Sequence, residues 1–192
     1  MNSVAPGSPA IDLQQFELVF KEHYSSLFQY VKSIVKDADL AKDVLSDLFM
    51  NLWVNKDRLE IQNIRPYLFR SARNGALKAI SAQSTESLDE IYLEITEETF
   101  NPFERIVAKE SIRIVEQLMR KLPAMRKEII QLRLHGFKNH EIARILDITE
   151  KKVEYHMREA IEQLTYFMNQ SNFDRATIAG GLMMLNVILT IF

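Results

Sequence analysis

Apolar residues in this chain recur at helical spacing almost everywhere a pattern is visible. From Ile11 onward, Phe16, Phe20, Tyr24, Leu27, Phe28, Val31, Ile34 and Val35 fall on one stripe, as in an amphipathic helix. Asp37 to Asp39 interrupt it. A second stripe follows at Ala41, Val44, Leu45, Leu48, Phe49 and Leu52, with Trp53 beside it. The polar run from Asn55 to Gln62 reads as a loop. Pro66 suits the first turn of a third helix, whose inward stripe is Leu68, Phe69, Ala72, Ala76, Leu77 and Ile80.

A second helical block starts near Pro102. Ala108, Ile112, Val115, Leu118, Met119 and Leu122 repeat every three or four residues. Pro123 opens a helix carrying Met125, Ile129 and Leu132, and Gly136 is a natural stop. A short helix over about 138–146 points Ile142, Ala143 and Leu146 inward. A turn at Asp147-Ile148-Thr149 leads to a longer helix with Val153, Met157, Ala160, Ile161, Leu164, Phe167 and Met168 inside. Thr149 is its expected N-cap. The fold class is therefore all-α: an N-terminal helical bundle over 11–82 and a four-helix C-terminal domain over 104–170. Residues 1–10 read as a flexible tail and 83–103 as a linker, with one short helical turn near Leu88 to Leu93. An apolar helix ends the chain over 171–192.

Charge sharpens that division. The 192 residues carry a net charge of −2, which on its own leans away from nucleic acid. The distribution is uneven: net +1 over 1–80, −7 with no basic residue over 81–104, and +4 over 105–168. Two neutral or basic blocks thus flank an acidic spacer. Cysteine is absent, which removes disulfides, thiolate nucleophiles and Cys-ligated metals. No phosphate loop, zinc-protease motif or nucleophile elbow is present. His135 and His140 stand five apart, so a helix does not bring them to one face. No catalytic residue, metal ligand or cofactor is expected.

The strongest local signal is KNHEIARILDITEKKVEYHMR, 138–158. A short helix, a tight turn and a second helix make a helix-turn-helix. The second helix enters the major groove with its N-terminal end leading. Its outer face offers Lys151, Glu154, Tyr155 and Arg158 along with Glu150, and Lys152 and His156 sit at the edges. The cations suit phosphates and guanine edges, and Glu154 suits a cytosine amine. A second cluster, IRPYLFRSARNGALK, interleaves aromatics with Arg65, Arg70, Arg73, Asn74 and Lys78. That mixture suits single-stranded nucleic acid, but composition alone is a weak signal for it, and Leu68, Phe69 and Ala72 of the same segment suit the core better.

Together the two blocks resemble the extracytoplasmic-function (ECF) sigma factors of bacterial RNA polymerase. The motifs are AKDVLSDLFMNLW (41–53), YLFRSARN (67–74), Leu122-Pro123, Glu141-Ile142-Ala143 and Val153-Glu154, in the family's order. The resemblance makes 11–82 a region 2-like domain and 104–170 a region 4-like domain. It implies that Asp43, Leu45, Asp47, Leu48 and Phe49 lie on the helix that docks the clamp of the largest polymerase subunit. It implies that Asn63 and Arg65 lie in a loop capturing a flipped base. Arg70, Arg73, Asn74 and Lys78 then face the melted minus-ten strand. Lys151, Lys152, Glu154, Tyr155, His156 and Arg158 lie on the minus-thirty-five recognition helix. The implied partners are core RNA polymerase, through its clamp and flap, promoter DNA and an anti-sigma factor. The implied location is cytoplasmic, with membrane recruitment through the anti-sigma factor.

The chain departs from the family with Ser46-Asp47 where Gln-Glu is usual, and with Lys78 alone as the cation after Asn74. Its tail, ATIAGGLMMLNVILTIF, has 12 apolar residues of 17 and no charge. Related sigma factors of Bacteroidetes type carry short hydrophobic extensions. As a helix the tail rises about 26 Å, short of the roughly 30 Å hydrocarbon core. Packing on this chain or a partner, weak membrane contact and an unstructured end all fit it. Two other functions fit parts of the chain: a DNA-binding regulator using only 105–168, and a helical interaction protein tethered by its tail. The AKDVLSDLF helix separates the first of these from a sigma factor.

Overall fold

The computed structural model describes residues 12–56, 63–82 and 117–170. The expected tail 1–10, linker 83–103, first helix of the second block before 117 and apolar tail 171–192 lie outside the described residues. So does most of the loop ending at Gln62. The chain divides into two compact units, 1–90 and 91–192. Among the described residues every regular element is a helix.

The first unit is a bundle of α1 (Leu13–Val35), α2 (Ala38–Val54) and α3 (Ile64–Ala82). Short polar residues set its joints. Asp12 caps α1, accepting from the Gln15 N–H at 2.7 Å, while the Gln15 side chain accepts from the Asp12 N–H at 3.2 Å. Lys36 takes the left-handed conformation (φ 63°) that ends α1. Asp37 then caps α2 by accepting from the N–H groups of Asp39 and Leu40, both at 2.8 Å. The chain turns sharply here, so α1 and α2 run antiparallel, with Phe16 against Trp53 (5.1 Å between ring centroids) and Phe20 against Phe49 (4.8 Å).

Phe49 is the hub of that aromatic cluster, meeting Phe16 at 6.2 Å and Tyr24 at 6.3 Å as well. Below it the core is Leu27, Tyr30, Val31, Val44, Leu45, Leu48, Leu52, Leu68, Phe69, Ala72 and Ala76. Gly75 lets α3 come close to α2: a Cβ there would stand 3.0 Å from Cγ1 of Val44. Two positions of the expected third stripe turn outward. Leu77 is 44% and Ile80 41% exposed. Small residues at 72, 75 and 76 narrow the packed face, Leu77 lies 100° around from Ala76, and Ile80 falls in the last turn.

His23, which the stripe pattern leaves unremarked, is buried among α1's inner residues. Burial is the main cause holding its imidazole below the ordinary value; the Glu22 carboxylate opposes this and the Arg65 guanidinium adds to it. A histidine kept neutral in the folded state loses stability when it must charge. Its contribution is full above the unfolded value of about 6.5 and is lost as pH falls through the lowered folded value. Thermal unfolding should therefore show a midpoint that drops on acidification below about pH 6.5, and His23→Gln should flatten that part of the profile.

The second unit contains a helical end at 117–120, then α4 (Ala124–Leu134), α5 (Asn139–Leu146) and α6 (Glu150–Gln170). Pro123 opens α4 and Gly136 ends it, as the sequence predicts. Gly136 has φ 79°. Its N–H donates to the Arg133 carbonyl at 2.8 Å, and the Phe137 N–H donates to the Leu132 carbonyl at 3.2 Å. This paired closure places Leu132 and Phe137 in contact range, and both are fully buried. The core is completed by Ile129, Ile130, Ile142, Ile145, Leu146, Val153, Met157, Ala160, Leu164 and Met168. Arg126 of α4 and Glu159 of α6 form a part-buried ion pair at 3.1 Å. No described helix is long and apolar enough to cross a membrane.

Candidate nucleic-acid interfaces

α5 and α6 form the expected helix-turn-helix. The Glu141 carboxylate accepts from the Lys138 N–H at 2.9 Å and fixes the start of α5. Asp147 adopts the left-handed conformation (φ 57°), and the Ile148 N–H returns to the Ala143 carbonyl at 3.0 Å. Thr149 caps α6, its hydroxyl accepting from the Lys152 N–H at 3.3 Å. Ala143 is buried where a larger side chain would push the helices apart. The turn is therefore built from the residues the sequence nominates for it.

This geometry divides α6 cleanly. Val153, Met157 and Ala160 face the core, while Lys151, Lys152, Glu154, Tyr155 and Arg158 are exposed. Arg158 lies over the Tyr155 ring at 5.8 Å, which holds a cation and an aromatic face together on the solvent side. His156 differs from its companions. It is half-buried, and its Nδ1 is shielded from solvent without a hydrogen-bond partner. It borders the exposed face and packs against Tyr155 at 5.3 Å. The outer face thus joins three cations to one phenol, the groups that pair with phosphates and base edges.

In the first unit, Arg70, Asn74 and Lys78 share one exposed stripe of α3 at four-residue spacing, with Arg73 half-exposed beside it. Asn63 is exposed and directly precedes the helix. Arg65 belongs to α3's first turn, so it does not sit in the loop expected for it. Pro66 permits this, because the first turn needs no N–H from that position.

The five residues assigned to polymerase docking separate into two sets. Asp43 and Asp47 are exposed, whereas Leu45, Leu48 and Phe49 belong to the core. Leu45 and its neighbours position the helix from inside. The outer ridge continues through Met50 (65% exposed) and Val54 (71% exposed), so two acids and two apolar side chains line one face at helical spacing. The amphipathic pattern hides Met50 and Val54, because both fall off the inner stripe. Arg133, buried at the end of α4, also carries no sequence signal, since a cation between two leucines reads as surface.

Comparison with known proteins bears on both units. Residues 19–86 match the sigma-70 region 2 family model, and residues 112–164 match the sigma-70 region 4 model. Together these span well over half of the chain. The ECF RNA polymerase sigma factor SigM of Bacillus subtilis (strain 168) is 24% identical over 153 residues, covering 76% of this chain and 92% of SigM. Among solved structures, the fold resembles CnrH in complex with the cytosolic domain of CnrY, with a TM-score of 0.58 at 20% identity over 84% of this chain and 92% of that one. It also resembles the sigma factor RpoE in complex with the anti-sigma factor NepR from Bartonella quintana. That match has a TM-score of 0.62 at 16% identity and covers 82% of this chain and 98% of the other. These matches do not reach the narrower Bacteroidetes grouping. With a three-helix region 2 unit followed by a helix-turn-helix region 4 unit, the chain belongs to the ECF sigma factors of bacterial RNA polymerase.

Proposed function

We propose that this chain joins core RNA polymerase, reads promoter DNA with both units and directs transcription initiation. The observation that carries this reading is the pairing of a region 2 bundle with a region 4 helix-turn-helix in one chain. A DNA-binding regulator needs only the second. Lys151, Lys152, Glu154, Tyr155 and Arg158 of α6 read the minus-thirty-five duplex, with His156 supporting them from the edge. Arg70, Arg73, Asn74 and Lys78 hold the melted minus-ten strand, and Asn63 with Arg65 receives an unstacked base at the start of α3. Duplex reading supplies register; strand holding stabilises the open state. Neither step makes or breaks a covalent bond, so the chain acts as a regulator without catalytic residues, metal or cofactor.

Asp43 and Asp47 dock the polymerase clamp, with Met50 and Val54 extending the contact, and the second unit meets the flap. One structural neighbour was solved with the cytosolic domain of CnrY and the other with the anti-sigma factor NepR, and the second supports anti-sigma control here. The acidic stretch 83–103 serves as the linker between the two units. The chain works in the cytoplasm and reaches the membrane through its anti-sigma factor or weakly through its apolar tail. Co-purification with core polymerase tests the docking. Asp43→Arg with Asp47→Arg changes two exposed side chains, so the fold should persist while the complex weakens about tenfold or more, as reversed interface charges cost several kcal/mol. A complex of unchanged affinity would remove this face from the interface.

A further inference from the structure

Leu77 and Ile80 are large apolar side chains of α3 that stay in water, 44% and 41% exposed. Helical geometry puts them within the cationic face of α3, not behind it. At about 100° per residue, Leu77 projects between Asn74 and Arg73, within about 20° of Arg70. Ile80 lies about 20° beyond Arg73, toward the core. Lys78 is the sole cation from Gly75 to Ala82, so this end of the face is mostly apolar. Neither Leu77 nor Ile80 offers a hydrogen bond to a phosphate or a base edge. What an aliphatic side chain fits is the flat face of a base. In a duplex that face is covered by the neighbouring pair, and it is uncovered where paired DNA gives way to separated strands.

We propose that Leu77, backed by Ile80, is a wedge that stacks on the last base pair at the fork between duplex and melted minus-ten strand. Leucine and isoleucine serve in this way where proteins pry base steps apart. Charge complementarity selects the occupant: Arg70, Arg73 and Lys78 surround the apolar pair and suit a polyanion. The cations hold backbone while the wedge replaces the stacking that the opening pair loses. It reads no base and lowers the cost of strand separation, so Leu77 and Ile80 are positioning residues.

The wedge rests on the minus-ten reading proposed above, and run-off transcription with core polymerase on two forms of one promoter fragment tests the two separately. One form is fully duplex; the other carries mismatches that leave its minus-ten segment already open. The double variant Leu77→Gln, Ile80→Gln should lose about tenfold in transcript from the duplex, since unstacking a step costs a few kcal/mol. From the open form it should stay within about twofold of wild type, because the unstacking cost is already met there. Leu77→Met keeps an apolar side chain and should transcribe both forms. Leu77→Ala favours the helix and covers the case in which the double variant fails to fold, with the same loss confined to the duplex form. Folded variants that match wild type on both forms, or lose equally on both, would overturn the wedge alone. An Arg70→Gln, Lys78→Gln variant that matches wild type on both forms would overturn the minus-ten reading and the wedge with it.

Discussion

Phe49→Ala should destabilise the first unit by about 3–5 kcal/mol, a large share of the stability of an ordinary domain. Phe49 is 4% exposed and holds Phe16, Phe20 and Tyr24 of α1 against α2. Removing the ring leaves a cavity and three aromatic neighbours without their common partner, and each such pair contributes beyond its buried area. Urea unfolding should show the loss directly. The contrast with Asp47, two residues earlier and exposed, makes the result informative. An Asp47 substitution should affect polymerase affinity at unchanged stability, whereas Phe49→Ala should lose stability first. A Phe49→Ala protein as stable as wild type, yet deficient in polymerase binding, would place Phe49 at the interface instead of in the core.

The second large effect belongs to α6. Replacing Lys151, Lys152 and Arg158 together by alanine should weaken duplex binding at least a hundredfold. It should also lower the salt slope by as much as about 2.7 if all three meet phosphates. All three are exposed and Val153, Met157 and Ala160 keep the inner face, so the melting temperature should hold. Alanine also favours the helix. Single changes should be smaller: Lys151→Ala should reduce the slope by about 1 if its contact is to phosphate. Wild-type affinity in the triple variant would move the DNA interface off this face of α6.

The sequence makes the helix joints of the second unit readable because each depends on a residue type with one strong backbone preference. Pro123 starts a helix, Gly136 leaves one through a positive φ, and Thr149 caps the next. The recognition face follows from them, since the cap sets which side chains of α6 point outward. Burial is harder to read where an apolar stripe is wider than the surface it packs on. Leu77 and Ile80 continue the α3 stripe, yet the small residues beside them leave them exposed. The reverse holds for His23 and Arg133, polar residues drawn inside by neighbours distant in sequence. The docking helix shows a third case. Its motif marks the correct helix, but the motif mixes inner residues such as Leu45 with outer ones such as Asp43, and only packing separates them.

Run-off transcription by purified chain and core RNA polymerase on genomic promoter fragments tests the central claim most directly. Discrete transcripts should appear, need both proteins, and disappear with the Lys151, Lys152 and Arg158 triple variant. Specific DNA binding without holoenzyme formation, and no transcript from any promoter, would contradict it.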